Sequence, residues 1–364
     1  MQSMWRSEMV SYPPPFRQTH LQEPASLDET LLNVHPNQKQ PQQQTLGLDA
    51  DLPFIDLLHP DPKVLGQACR DWGIFRLVNH GIPPQLTDRV RSYAKDLFAL
   101  PFESKQSLFS STSPIAYFWG SPNIQHSVLN LNRVEGFHAL LPKLALQQQH
   151  QQQQQLQHDQ PQQLMFESFR CSLEEYGQHM EAIGRSVFNV LADYLELDPA
   201  QKASYLAESD GFLRVYRYPC YLGDEKEVIG MDAHTDSSVL SILNQDEVGG
   251  LQLLRDQKWF DVKHIPNTLI VNIGDMMQAM SNDKCTSVEH RVAANVRSDR
   301  MSICYFAFPK EDGVILSSNY KPFTYKQFQA QVQQDIKATG FKVGLDRFRN
   351  KRINGSGCDP TQCD

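Results

Sequence analysis

Cysteine is scarce in this chain. Seven are scattered through 364 residues, an odd number with no CxxC pair. That usage excludes a disulfide scaffold and predicts a reducing, intracellular setting, cytoplasmic with nuclear entry left open. Long hydrophobic runs are also missing. No stretch approaches 18 consecutive apolar residues, so no membrane-spanning helix is expected. The opening MQSMWRSEMVSYPPPF lacks the apolar centre of a secretory signal, and none is expected. Positive charge is in deficit as well: 34 Lys and Arg stand against 42 Asp and Glu, a net charge of −8. An acidic chain without long basic runs is not suited to a phosphate backbone, so nucleic acid is not an expected partner. The closest cysteine pair, Cys358 and Cys363, lies in a Gly/Asp-rich end and reads as a frayed terminus rather than a metal site.

What is present is ordinary for an enzyme-sized globular protein: 40% hydrophobic and 10% aromatic residues. Residues 1–50 are rich in Gln and Pro and predict a disordered tail. Order is expected from Leu52-Pro53-Phe54-Ile55-Asp56-Leu57, a short buried strand. A helix follows over 61–72, then the strand GIFRLVNHG (73–81), then a helix after Pro83-Pro84. Residues 51–145 form this N-terminal region. A Gln-rich insert occupies 146–165, and its His150 and His158 read as parts of a solvated loop rather than ligands. Region 166–210 is helical support: Phe166, Phe169, Leu173, Tyr176, Met180, Ile183, Val187 and Leu191 recur in steps of three and four.

From 211 to 310 the texture changes. Short β-rich runs follow one another, FLRVYRYP, VLSIL, LQLL, TLIVNI, SVEHRVAA and RMSICYFAF, punctuated by Gly, Asn and Asp. Such a series argues for a sandwich or jelly roll. In region 311–349 a last helix is expected, with Thr324 and Gln327 at capping-box spacing. Residues 350–364 are a tail. The fold class is therefore α+β: a double-stranded β-helix, or jelly roll, braced by helices.

The strongest chemical signal is His234-Thr235-Asp236. On an extended strand, residues i and i+2 share a face, which offers an imidazole and a carboxylate to one divalent metal. His290, in the strand-like SVEHRV, is the third candidate. Alone it reads more readily as a satisfied core histidine, and an HxD alone is common. Together they make a two-His, one-carboxylate set that leaves positions open, the arrangement of non-haem Fe(II) oxygenases. Ten residues on stand Arg300 and Ser302. If 296–299 is a turn, Arg300 opens the strand paired with that of His290, and the pair shares one face. A guanidinium binds a carboxylate bidentately and a Ser hydroxyl adds a bond, so the pair reads as an anchor for a dicarboxylate that chelates iron at its other end.

These residues resemble the plant 2-oxoglutarate- and Fe(II)-dependent dioxygenases, whose signature is HxD, a distal His a little over fifty residues later, and RxS. The resemblance runs from about 52 to 348. It includes LPFIDL, GIFRLVNHGIP, GGLQLL with Trp259, and NIGDMMQAMSN. YFWGSP (117–122), EGFH (135–138), QDEVGGLQLL and QQDIKATGFKVGLDRF resemble the gibberellin 2-oxidases, in particular the branch acting on 20-carbon gibberellins. Tyr216 stands where the family has Asn, and EGFH replaces the commoner EAFH.

The resemblance implies that His234, Asp236 and His290 hold Fe(II) and are catalytic. It implies that Arg300, Ser302 and Tyr218 hold 2-oxoglutarate, that dioxygen is the oxidant, and that ascorbate serves as reductant in assays. The implied substrate is a small hydrophobic carboxylic acid, a gibberellin hydroxylated at the 2-beta position, which inactivates the hormone. Tyr117, Phe118, Trp119, Phe137 and Phe306 are candidate pocket walls, and Arg133 and Arg217 are candidates for the substrate carboxylate. The same chemistry on another gibberellin position, a flavonoid or an alkaloid is the alternative. A jelly-roll binding protein without catalysis and a zinc hydrolase are the readings from other classes. A monomer or weak homo-oligomer is expected.

Overall fold

The structure of the chain is a computed structural model. It describes residues 10–12, 49–110, 113–120, 133–145, 161–207, 211–220 and 228–350. Most of the expected tails, both histidines of the Gln-rich insert, Cys358 and Cys363 lie outside them; residues 10–12 and 49–50 of the expected disordered tail are placed, with Ser11 and Ala50 buried and Tyr12 packed on Trp119.

Local chemistry sets the helices. Asp61 caps the first, α1 (Pro62–Asp71), by accepting from the N–H groups of Lys63 and Val64, with Pro62 at the first helical position. Next come α2 (Pro84–Ala99) and α3 (Phe102–Leu108). The long periodic segment is a single helix of 34 residues, α4 (Pro161–Tyr194), and α5 (Pro199–Tyr205) follows it. A short helix, α6 (Asp275–Met280), precedes the last one, α7 (Tyr325–Thr339). The Thr324–Gln327 capping box forms as expected, and Gly340 closes α7 with a positive φ of 83°.

Twelve strands build two sheets. The major sheet has eight, in spatial order β1 (Phe54–Asp56), β2 (Ile74–Val78), β10 (Leu269–Ile273), β7 (Leu240–Gln245), β12 (Arg300–Ala307), β5 (Phe212–Tyr218), β4 (Glu135–Leu140) and β3 (Ile115–Trp119). The minor sheet runs β6 (Val228–His234), β11 (His290–Ala294), β8 (Leu251–Arg255) and β9 (Lys258–Asp261). Four of the eight major strands come from before residue 145, so the N-terminal and jelly-roll regions share one sheet.

Strand alternation divides the side chains of the major sheet between two cores. Leu213, Val215, Ile242, Val271, Ile303 and Tyr305 join α4 and its neighbours in the larger core. Their sequence neighbours Tyr216, Tyr218, Ile270 and Cys304 face the minor sheet, where Leu251, Leu253 and Val292 meet them. The period of two thus gives one face of the sheet to stability and the other to the space between the sheets.

One expected pairing is corrected here. Arg300 does not begin a strand paired with that of His290. β11 pairs with β6 and β8, whereas β12 pairs with β5 and β7. Residues 295–299 carry the chain from one sheet to the other.

Candidate active site

The metal-ligand candidates converge at one end of the space between the sheets. His234 ends β6 and His290 begins β11, and the two are direct cross-strand partners. Their ring centroids lie 4.4 Å apart. Asp236 lies past the end of β6 rather than within an extended strand, as the spacing had suggested. Its two carboxylate oxygens stand 3.8 Å from His234 Nε2 and 3.8 Å from His290 Nε2. The three ligand atoms lie within 4.8 Å of one another. Among the described residues no other group of three such side chains forms.

The tautomers suit a metal. His234 Nδ1 lies 2.7 Å from the Asp232 carbonyl and His290 Nδ1 lies 3.2 Å from that of Val288. Each Nδ1–H donates to a carbonyl, which leaves both Nε2 lone pairs aimed at Asp236. Burial, with the neighbouring His290, pushes His234 down to about 4, so its imidazole is neutral. Burial opposes the charge on Asp236, but the two imidazoles more than offset it and hold its carboxyl below the usual range. Two imidazoles and one carboxylate, all facing a single point, are a fitting donor set for Fe(II).

A pocket opens from these three residues along β12 and β5. Arg300 and Ser302 lie on its wall, both 1% exposed. Arg300 Nε donates to the Gly249 carbonyl, and its Nη1 lies 3.0 Å from Ser302 Oγ. Its guanidinium sits 4.8 Å from the centre of the Tyr218 ring, the cross-strand partner of Arg300. Burial raises Tyr218 and keeps its phenol protonated, a donor beside the guanidinium. The same wall carries Asn272, 4% exposed, whose Oδ1 has no protein partner. Donors from Arg300, Ser302 and Tyr218 suit a carboxylate, and the triad at the other end suits a chelating keto acid.

The candidate walls divide by strand parity. Phe306 lines the cavity. Phe137 does not: it is fully buried against α2 and α4, stacked on Phe98 at 4.2 Å. Tyr117 also packs on the helix-facing core, and its hydroxyl donates to Glu135 at 2.7 Å. Trp119, on the same face of β3, packs edge-on against Tyr12 at 5.2 Å. The alternate positions, Phe118 and His138, face the space between the sheets instead. Phe118 can lie there because Gly136 opposes it; a Cβ on Gly136 would come within 2.4 Å of its ring. Gly136 pairs in turn with Tyr216, so the two departures from the family pattern are neighbours.

Neither proposed carboxylate-binding arginine reaches the cavity. Arg133 is not among its lining residues. Arg217 is committed to Glu135 at 3.0 Å and Asp299 at 2.7 Å. Besides Arg300, the cation on the inner face of β5 is Arg214, which shares that face with Tyr216 and Tyr218 and lies beside the cavity rather than among its lining residues. It donates to His138 Nδ1 at 3.3 Å and to the Tyr216 hydroxyl at 3.2 Å. The rings of Phe212, Phe118 and Phe306 surround it at 5.0, 5.6 and 5.9 Å. Counting back by twos from Tyr218 would have found it.

Comparison with known proteins agrees with this geometry. Residues 209–309 match the 2OG-Fe(II) oxygenase superfamily, and 52–164 match the non-haem dioxygenase in morphine synthesis N-terminal family. A gibberellin 2-beta-dioxygenase of Arabidopsis thaliana is 36% identical over 299 residues, 79% of this chain and 81% of that protein. The chain belongs to the 2-oxoglutarate- and Fe(II)-dependent dioxygenases. A second gibberellin 2-beta-dioxygenase, from Oryza sativa subsp. japonica, is 33% identical over 83% of this dioxygenase and 86% of its own length. Codeine O-demethylase of Papaver somniferum is 34% identical over 82% and 83%. Among solved structures, JOX2 in complex with 2OG, Fe and JA superposes with a TM-score of 0.67 at 27% identity, covering 90% of this dioxygenase and 99% of JOX2. The jelly-roll expectation holds, and the enzyme uses Fe(II), 2-oxoglutarate and dioxygen. No described helix is long and apolar enough to cross a membrane.

Proposed function

We propose that this dioxygenase hydroxylates a gibberellin at its 2-beta position. His234, Asp236 and His290 hold the iron. Arg300, Ser302 and Tyr218 grip the distal carboxylate of 2-oxoglutarate and fix its keto acid toward the triad. Bound iron with 2-oxoglutarate and dioxygen supplies the oxidising power for an unactivated C–H bond. The protein supplies orientation and a dry, mostly apolar wall.

The observation that carries the substrate class is Arg214. A guanidinium among aromatic rings, with no carboxylate partner among the described residues, suits a hydrophobic molecule bearing one carboxylate. A gibberellin is such a molecule, and the similarity to gibberellin 2-beta-dioxygenases supports the choice.

The test is product mass spectrometry with iron, 2-oxoglutarate and ascorbate. Gibberellins with 19 and 20 carbons are compared with flavonoid and alkaloid substrates. The expected result is a singly hydroxylated gibberellin formed in step with succinate. Coupled turnover of a flavonoid or alkaloid, with gibberellins inert, would overturn the substrate assignment and leave the dioxygenase chemistry in place.

A further inference from the structure

The segment after α7 returns to the metal end of the molecule. Gly340 turns the chain, and two residues later Lys342 reaches the H-x-D motif. Its Nζ lies 2.8 Å from the Thr235 carbonyl oxygen and 3.1 Å from Thr235 Oγ1. It also lies 2.6 Å from the Asp275 carboxylate. The two Thr235 contacts are hydrogen bonds, and the Asp275 contact is an ion pair. Thr235 is the residue between His234 and Asp236. Asp275 opens α6, and its own N–H donates to the Asp236 carbonyl at 2.8 Å. The ion pair therefore holds the turn at two consecutive peptides.

Among the described residues, the other direct tie on Asp236 is a hydrogen bond between Ser241 and its carboxylate, which leaves the Thr235 peptide to Lys342. β6 ends at His234, so no ladder continues through Thr235 and Asp236. Yet Asp236 is the one ligand of the triad that lies off a strand. Its aim depends on the backbone on either side of it. Lys342 and Asp275 are also poorly placed to be mere solvated charges, with side chains 15% and 4% exposed. A near-buried ion pair contributes little net stability once desolvation is counted, so its value lies in what it orients.

We propose that Lys342 is a positioning residue for the metal triad: with Asp275 it fixes the Thr235–Asp236 backbone, so that Asp236 stays aimed where the two imidazoles converge. The proposal rests on His234, Asp236 and His290 being the metal ligands.

The experiment uses the full chain and Co(II), titrated by calorimetry and visible absorption without oxygen, 2-oxoglutarate or substrate. Lys342→Met is expected to weaken Co(II) binding by about ten- to a hundred-fold, the usual cost of losing a group that orients a ligand. Lys342→Arg keeps the charge and the donors and is expected to recover most of the affinity. Arg347 provides the control. It pairs with Asp335 at 2.9 Å and ties the same segment to α7 without touching the turn. Arg347→Met is expected to leave Co(II) binding within about two-fold of wild type, since a half-exposed pair is worth little. Lys342→Met leaves Asp275 buried without its cation, so Lys342→Met/Asp275→Asn is measured beside it and is expected to bind Co(II) as weakly. Wild-type affinity in both Lys342→Met proteins would overturn the proposal. So would an equal loss in Arg347→Met. A wild-type chain that failed to bind Co(II) would remove the triad assignment, and the proposal with it.

Discussion

Arg214 and Arg217 stand three residues apart on β5 and face opposite sides of the major sheet. Arg217 meets two carboxylates, Glu135 and Asp299. Glu135 is fully buried and also holds Lys105 at 2.8 Å and the Tyr117 hydroxyl. The charges there balance within the fold. Among the described residues Arg214 makes direct contacts only with neutral groups: a phenol, an imidazole and three aromatic rings. Burial first, then the charge of Arg214, pushes His138 down to about 4, so this neighbour stays uncharged near neutral pH. A cation without an acid is costly in a folded protein unless a ligand answers it. Positive charge alone therefore does not mark a binding site. The missing counter-charge does.

The largest expected effect lies at the far end of that inner face. Asp236→Ala removes the only charged ligand of the triad and should abolish turnover. The fold should survive, because the loss also removes a buried carboxylate. Succinate release and bound-metal content are the measurements. An Asp236→Ala protein that retained metal and wild-type turnover would detach the triad from the chemistry.

The two arginines should then separate cleanly. Arg217→Met should cost about 3 kcal/mol in urea unfolding, the low end for a broken buried pair because Lys105 still neutralises Glu135. Its Michaelis constants should not move. Arg214→Gln should do the reverse. Charge-assisted hydrogen bonds are worth about 1.5–3 kcal/mol, so the constant for a carboxylic-acid substrate should rise about ten- to a hundred-fold, at 1.4 kcal/mol per decade. The constant for 2-oxoglutarate should stay put. Arg300→Lys crosses the pattern: it loses the planar fork, so the 2-oxoglutarate constant should rise by a similar factor and that of the substrate should not. If Arg214→Gln and Arg300→Lys moved the same constant, the two carboxylates would not occupy separate ends of the cavity.

Much of this was legible in the sequence. Steps of three and four gave α4, and the Thr324–Gln327 spacing gave the start of α7. The i, i+2 spacing pairs His234 with Asp236, residue type and the family signature add His290 from a distant segment, and the fold brings the three together. β6 was harder to see, since VIGMDAH breaks alternation with Gly230 and Asp232. The sheet-to-sheet crossing before Arg300 was read as a hairpin because a short polar turn between two strands looks the same either way. Of the candidate walls, Phe306 and Phe118 take the inner face, whereas Tyr117, Trp119 and Phe137 do not, for a simpler reason. Aromatic side chains on β3 and β4 were visible, but the parity that decides which face each takes is set by pairing to β5, a contact between distant segments. Arg214 was missed for the same reason.

The smallest expected effects test that parity directly, on two adjacent residues of β3. Tyr117 and Phe118 point to opposite faces, and each has one defining contact. Tyr117 donates to the buried Glu135. Phe118 packs edge-on against Tyr216 at 5.9 Å and lies 5.6 Å from the Arg214 guanidinium. Tyr117→Phe keeps the ring and deletes one hydrogen bond to a charged acceptor, so it should lower stability by about 1.5 kcal/mol. Lys105 and Arg217 remain on Glu135, so the loss should not grow to that of an orphaned charge. Neither Michaelis constant should change. Phe118→Leu keeps apolar bulk but removes the flat ring beside the guanidinium. An exposed-to-intermediate cation–π contact is worth about 0.5–1 kcal/mol, which predicts a two- to five-fold rise in the substrate constant. Stability should fall less than in a full truncation, because Leu refills most of the space over Gly136. Urea unfolding and initial rates on the two variants give four numbers. The parity assignment requires that the substrate constant move in Phe118→Leu and stay put in Tyr117→Phe. A substrate effect from Tyr117→Phe, with none from Phe118→Leu, would mean that β3 presents its other face to the cavity.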